Sequence, residues 1–249
     1  VSGKQVFGLH AVRAAVEEGQ AETLWLDAAR KDQRLRALAR TAEEAGCAPR
    51  WVSRRELDRM SGGARHQGAV AAIHGAAPRN ETFLENLLTE LPHPPLLLVL
   101  DGVQDPHNLG AALRSADGAG ADAVIVPRDR ACGLTPTVRK VASGAAENVP
   151  LVQVTNLART LRTLHHAGIR LIGTAGEADA VLYDTDLRGP LALLLGAEER
   201  GLRRLTREQC DLLIRIPMQG RVESLNVSAA AAICLFEAVR QRTGGCAIP

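Results

Sequence analysis

The stretch that most restricts what this chain can fold into runs from Leu96 to Ile216. Six short apolar runs, 96–100, 123–126, 151–154, 170–173, 191–195 and 212–216, alternate with segments of helical character. A strand that is apolar at every position, rather than at every second one, has to be buried on both faces, and alternating helices supply that cover. The expectation is an α/β domain built on a parallel sheet. Sheets of this kind place their ligands outside the carboxyl ends of the strands, so the loops after each apolar run are where functional residues should be sought.

The helix starts are marked as well. Thr135-Pro136 offers a cap followed by proline in the first turn, which predicts a helix to about Ala146. Ahead of the sheet segment, residues 3–75 read as a separate α/β unit: strands 5–9, 23–26, 50–53 and 67–73, with helices 11–18, 34–45 and 54–60. Gly19 and Gly46 stand where helix C-caps belong. Gly75-Ala-Ala-Pro78 and Pro92-His-Pro-Pro95 flank a short amphipathic helix, Phe83 to Leu91. The expected organisation is therefore a domain over 1–75, a linker over 76–95 and a second domain over 96–249.

Several function classes lose their usual support. There is no Gly-x-Gly-x-x-Gly, no Gly-x-x-x-x-Gly-Lys, no His-Glu-x-x-His and no Gly-x-Ser-x-Gly, the signatures of nucleotide-dependent dehydrogenases, phosphate-loop enzymes, zinc hydrolases and serine hydrolases. The seven histidines lack ligand spacing with cysteine or acid, so no metal is expected, and His165 and His166 read as solvent-facing. Cysteines 47, 132, 210, 234 and 246 are odd in number and widely spread, as free thiols of a reducing cytoplasm are. No apolar run approaches a membrane span, which points to a cytosolic protein with no membrane partner. Aromatic residues make up 2% of the chain, which disfavours nucleic-acid recognition by stacking many bases on rings. The net charge of +2 is small, the front section is the more basic part, and lysine occurs only at positions 4, 31 and 140, so the positive charge is almost all arginine. Arginine's planar fork suits phosphate, and a high-GC coding bias would give the same skew.

Three polar blocks follow apolar runs. After 96–100 comes Asp101-Gly-Val-Gln-Asp105-Pro106-His107-Asn108-Leu-Gly110-Ala-Ala-Leu-Arg114. Asp105 or Asn108 can cap the helix, while Leu109, Ala112, Leu113 and Ala116 share its core face. Arg114 lies off that stripe, and helical side chains lean toward the N-terminus, so it can reach back toward Asn108 as a phosphate ligand. After 191–195 comes Gly196-Ala-Glu198-Glu199-Arg200-Gly201, where glycines permit close backbone approach to a ligand and Glu198 can accept hydrogen bonds from it. After 212–216 comes Pro217-Met-Gln-Gly220-Arg-Val-Glu-Ser224-Leu-Asn226-Val-Ser228, which leads into an alanine-rich helix. Ser224 and Asn226 are helix caps or polar contacts to a substrate. Taken singly each block has a plain structural explanation. Their shared position at strand ends suggests one pocket.

Asp-Pro-x-Asn-x-Gly with Arg-Ser-Ala (105–116), Leu-Gly-Ala-Glu (195–198) and Ile-Pro-Met-x-Gly-x-Val-Glu-Ser-Leu-Asn-Val-Ser (216–228) resemble, in order and spacing, the three motifs of the SpoU/TrmH branch of the SPOUT RNA methyltransferases. The match spans 96–242. Phe7-Gly-Leu-His-Ala-Val12 and His66-Gln-Gly68 are similar to the ribosomal-protein-like RNA-binding domain that precedes the catalytic domain in bacterial large-subunit rRNA guanosine 2′-O-methyltransferases. The resemblance implies a C-terminal trefoil knot, a homodimer packed around the knotted helices, S-adenosylmethionine as methyl donor and a ribose 2′-OH of ribosomal RNA as acceptor. By motif position it places the cofactor against Gly196, Ile216 and Leu225, and the polar catalytic set at Asn108, Arg114, Glu198, Ser224 and Asn226. Glu199 stands where the family usually has glycine. A tRNA ribose methyltransferase, an antibiotic-resistance rRNA methyltransferase and a non-catalytic RNA-binding or assembly factor are the alternatives.

Overall fold

The computed structural model describes residues 4–17, 19–30, 32–73, 78–198, 200–222 and 224–244. Glu199 and the expected linker residues Gly75–Ala77 lie outside them. The chain divides into two compact units, one from residues up to 77 with 133–140, the other from 78–132 with 141 onward.

In the first unit β1 (Lys4–Phe7), α1 (Leu9–Glu17), β2 (Ala21–Asp27), α2 (Gln33–Glu44), β3 (Pro49–Val52), α3 (Arg54–Met60) and β4 (Ala69–Ile73) follow one another. The sheet order is β1-β4-β2-β3, with β4 antiparallel to both β1 and β2, and β2 parallel to β3. Val12, Val16, Leu24, Leu26, Leu35 and Leu38 form its core. Asp32 caps α2 through Arg34 N–H, and the Gly46 N–H closes the other end on Glu43 O.

The second unit opens with α4 (Glu81–Glu90), capped by Asn80. The stretch expected as a linker thus carries a helix whose Leu84 is buried in the core of this unit, with Phe83, Leu87 and Leu88 packed beside it. Then follow β5 (Leu96–Asp101), α5 (Pro106–Gly118), β6 (Ala123–Pro127), α6 (Pro136–Ala142), whose first five residues are counted with the first unit, α7 (Ala145–Asn148), β7 (Leu151–Val154), α8 (Leu157–His166), β8 (Arg170–Thr174), β9 (Ala180–Val181), β10 (Leu191–Gly196), α9 (Arg204–Arg207), β11 (Leu212–Arg215) and α10 (Val227–Arg242). The expected helix 136–146 is two helices. Ser143 and Gly144 both adopt positive φ, 52° and 95°, a conformation that ends an α-helix. Two-residue β9 is too short to leave a periodic signal. The run at 212–216 is less buried than its composition suggests: only Ile214 is fully covered, because β11 has the very short β9 as its outer neighbour.

All seven strands are parallel, in the order β7-β6-β5-β10-β8-β11-β9. Every residue of β5 is buried, as are the first five of β10. A fully buried leucine contributes about 1.5–3 kcal/mol, so this leucine-rich central pair anchors the sheet. From β5 the chain steps outward through β6 and β7, then returns to build the other half. The order reverses between β5 and β10, whose last residues, Asp101 and Gly196, lie side by side. That is the position at which a parallel sheet opens a crevice for ligand.

Candidate functional site

The loops leaving β5 and β10 and the loop entering α10 meet at this crevice. Asp105 caps α5 by accepting from His107 N–H at 2.8 Å, with Pro106 in the first turn. Capping is therefore done by Asp105 and not by Asn108. The Asn108 side chain is largely buried and free to turn inward, and its Nδ2 donates to Glu198 Oε1 at 2.7 Å. Asn226 Nδ2 donates to the same Glu198 oxygen at 2.8 Å and to Asn108 Oδ1 at 2.9 Å. Asn226 also caps α10, its Oδ1 accepting from Ser228 N–H at 2.9 Å and from Ser228 Oγ at 2.6 Å. Cap and polar contact, read from the sequence as alternatives, are both made by one side chain.

The hydrogen-bonding capacity left in this triangle is specific. Both Nδ2 protons of Asn226 are used. Among the described residues, Glu198 Oε2 has no donor and one Nδ2 proton of Asn108 has no acceptor. The network thus presents one acceptor and one donor, the complement of a hydroxyl group.

Two cavities flank it. One, of about 730 Å³, has Asn108, Glu198, Asp101, Arg130, Arg200 and Arg203 in its walls. The other, of about 370 Å³, lies at the carboxyl ends of β8 and β11 and is lined by Ile214, Ile216, Met218, Leu225, Leu202 and Ser224, with Glu177 and Arg207 paired at its edge. Both volumes are in the range of small-molecule sites. Aliphatic side chains grouped with a few polar and charged ones suit a flat heterocycle carrying a charged tail. Ile216 and Leu225, expected against a cofactor, both line this cavity. Ser224 faces this second cavity and lines no wall of the one that holds Asn108.

Gly196 also has a structural role. A Cβ there would lie 1.9 Å from Gly201 C and 2.1 Å from Leu202 N, so the glycine is required by the chain's own return loop, closed by Gly201 N–H on Ala197 O at 2.8 Å. The close backbone approach is internal, and Gly196 is absent from both cavity walls.

Arg114 stands apart. It is exposed, and among the described residues it has no hydrogen-bond or ion-pair partner and lines neither cavity. Six helical residues separate it from Asn108, which is about 9 Å along the axis and about a third of a turn around it. The arginines that do line the larger cavity, Arg130, Arg200, Arg203 and Arg204, went unnoticed in the sequence. Arg200, Arg203 and Arg204 had one local signal, their closeness to Glu198, obscured by arginine's abundance throughout the chain; Arg130 had none.

The first unit has a cleft of its own, about 760 Å³, lined by Arg13, Arg30, Arg34, Arg54, Arg65 and His66 among others. His66 is buried and oriented by Asp58 Oδ1 at 2.8 Å from its Nε2 and by Gly68 N–H donating to Nδ1 at 3.1 Å. Gln67 sits at φ 54°; its Oε1 accepts from Leu9 N–H at 3.2 Å.

A parallel α/β unit with a carboxamide–carboxylate cluster at its switch point follows an α/β unit with an arginine-lined cleft. Residues 95–236 match the model of the SpoU rRNA Methylase family, and residues 5–79 match that described as RNA 2′-O ribose methyltransferase substrate binding. The chain belongs to the SpoU rRNA methylase family. It is 54% identical over 241 residues to the 23S rRNA (guanosine-2′-O-)-methyltransferase RlmB of Shewanella oneidensis, covering 95% of this chain and 97% of the relative. To RlmB of Escherichia coli K12 it is 52% identical over 242 residues, with 96% and 99% covered. Among solved structures it is similar to the SpoU methyltransferase AviRb from Streptomyces viridochromogenes in complex with the cofactor AdoMet, with a TM-score of 0.64, 28% identity, and 97% and 91% of the two chains covered. An AdoMet-bound rRNA methyltransferase from Sinorhizobium meliloti aligns with a TM-score of 0.59 at 26% identity, covering 95% and 86%.

Proposed function

We propose that this protein transfers a methyl group from S-adenosylmethionine to the ribose 2′-OH of a guanosine in 23S rRNA. The observation that carries this reading is the Asn108–Glu198–Asn226 triangle, whose remaining donor and acceptor match a hydroxyl. The target hydroxyl donates to Glu198 Oε2 and accepts from Asn108 Nδ2. Asn226 fixes the Glu198 carboxylate, and its own position is fixed by α10. Held so, the hydroxyl oxygen keeps one orientation, and positioning of this kind supplies much of the acceleration of a group transfer. S-adenosylmethionine, when bound, supplies an electrophilic methyl group on a sulfonium. Ile216, Leu225 and Ser224 would hold it in the 370 Å³ cavity, beside the Glu177–Arg207 pair.

In this reading the first unit, with its arginine-lined cleft, grips the RNA, and the second unit, which takes in α4 of the expected linker, is the catalytic domain. The protein works in the cytoplasm as a homodimer, with the carboxyl-terminal segment threaded as a trefoil knot. Supporting the dimer, Phe236 on α10 is 44% exposed and stands against Gly118 of α5, an apolar edge suited to a second copy. Arg114, free on α5, is the side chain such a neighbour would meet, and its guanidinium serves to hold RNA phosphate. The test is tritium transfer from labelled S-adenosylmethionine to 23S rRNA, with the product nucleotide mapped. Wild-type protein labels one guanosine ribose; Arg114→Ala abolishes transfer while cofactor binding by calorimetry survives. No label with wild-type protein overturns the reading, and unchanged turnover of Arg114→Ala overturns the role of that arginine.

A further inference from the structure

Asp101 ends the central strand β5 with its side chain fully buried. A carboxylate in such a place is costly unless it is paired, and its partner is Arg203. Asp101 Oδ2 accepts from the Arg203 backbone N–H at 3.0 Å, while Oδ1, which has no hydrogen-bond donor, lies 3.3 Å from Arg203 Nε. The next residue, Gly102, has φ 86°, and a Cβ on it would come within 2.8 Å of Arg203 Nη2. The guanidinium is therefore held at its backbone, along its Nε edge and over a position without a side chain.

A guanidinium present only to neutralise Asp101 would be buried with it. Instead the Arg203 side chain is 42% exposed, in the wall of the cavity that also holds Asn108 and Glu198. Among the described residues its Nη groups have no acceptor. Its neighbour Arg204 is spent on Glu208 and is 78% exposed. An arginine anchored at its backbone, paired through Nε and open along its Nη edge is a fork for an anion with paired oxygens.

We propose that Arg203 binds the phosphodiester adjoining the target ribose, with Asp101 as the positioning residue that aims it. The proposal rests on the rRNA methyltransferase reading and assigns a phosphate contact within the catalytic unit itself.

The test compares wild-type protein with Arg203→Ala, Arg203→Lys and Asp101→Asn in binding a fluorescent 23S rRNA fragment over a salt series, beside steady-state methyl transfer. Removing one phosphate contact lowers the slope of log affinity against log salt by about 0.7–0.9, so Arg203→Ala should show that loss. A charged hydrogen-bond contact corresponds to roughly a 10- to 100-fold rise in KM for RNA. Arg203→Lys keeps the charge and should restore the slope but only part of the affinity. Asp101→Asn should raise KM for RNA several-fold with the slope intact. Cofactor affinity by calorimetry should be unchanged in both Arg203 variants. If Arg203→Ala keeps the wild-type slope and KM, or loses cofactor and RNA affinity together, the proposal is overturned. Should Asp101→Asn fail to fold, by circular dichroism, the two Arg203 variants decide the phosphate contact. Wild-type protein that binds the RNA but transfers no methyl group refutes the activity and leaves the salt-slope test of Arg203 in force.

Discussion

Asn226 does two jobs with opposite ends of one carboxamide, and substitution can separate them. Its oxygen caps α10 and its nitrogen holds Glu198 and Asn108. Losing an N-cap costs about 1 kcal/mol. A hydrogen bond to a buried charge contributes about 1.5–3 kcal/mol, but Asn226 and Glu198 are both exposed, which reduces the nitrogen's share to about 1 kcal/mol. Asn226→Ala should therefore lose about 2 kcal/mol, which for a domain of this size lowers Tm by roughly 4–8 °C. Asn226→Ser keeps a capping oxygen and should lose about half as much. Asn226→Asp keeps the cap as well but sets a second carboxylate against Glu198. All three remove one of the two donors that hold Glu198, leaving only Asn108, and misplacing a reacting group by about 1 Å costs on the order of 100-fold in rate. The assays are thermal unfolding followed by circular dichroism and single-turnover tritium transfer to 23S rRNA. Turnover of Asn226→Ser within about threefold of wild type, or serine and alanine variants that melt together, would refute these two roles of Asn226.

Gly196→Ala forces a methyl group into the Gly201 backbone and should cost about 3 kcal/mol or more, read as a lowered urea midpoint together with weakened cofactor binding. Phe236→Asp places a charge on the exposed edge of α10 and should leave a monomer in sedimentation velocity; a dimer of undiminished affinity refutes the proposed interface. Burial pushes the thiols of Cys210 and Cys234 up from 9.0 to about 12. A group whose proton is held more tightly in the folded state stabilises the fold fully below its unfolded pKa, and that contribution is lost as pH rises toward the folded one. Stability should therefore fall between about pH 9 and 12, seen as a urea midpoint lower at pH 10 than at pH 8, with Cys234→Ala flattening the change. Both thiols should also resist alkylation at pH 8 until the protein is unfolded, as mapped by mass spectrometry.

Continuous apolar runs are a direct statement of two-sided burial, which is why the parallel sheet was legible from residues such as Leu96–Leu100 and Leu191–Leu195. The break at Ser143-Gly144 was not, because positive φ at a serine is settled by tertiary context. Asn108, Glu198 and Asn226 were recognisable as polar residues at strand ends; that they share one carboxylate oxygen depends on the β5–β10 register, which pattern alone does not specify. At Gly196 the close approach to the Gly201 backbone was not legible, because it depends on how the loop folds back. Arg203 was passed over because its meaning comes from Asp101, about a hundred residues earlier, and from the absence of a side chain at Gly102.

The pairing of β5 with β10 has a consequence for how this protein comes to be active. Asn108 and Glu198 are 90 residues apart, and Asn108 and Asn226 are 118 apart, so no short segment of the chain contains the cluster. The triangle closes only after β10 has inserted beside β5 and α10 has been capped, which makes it a late product of folding rather than a local one. Non-local pairings of this kind form slowly. During refolding, helical signal should return before methyl transfer does, so the closed Asn108–Glu198–Asn226 triangle serves as the chain's own certificate that the sheet has been assembled in the correct order.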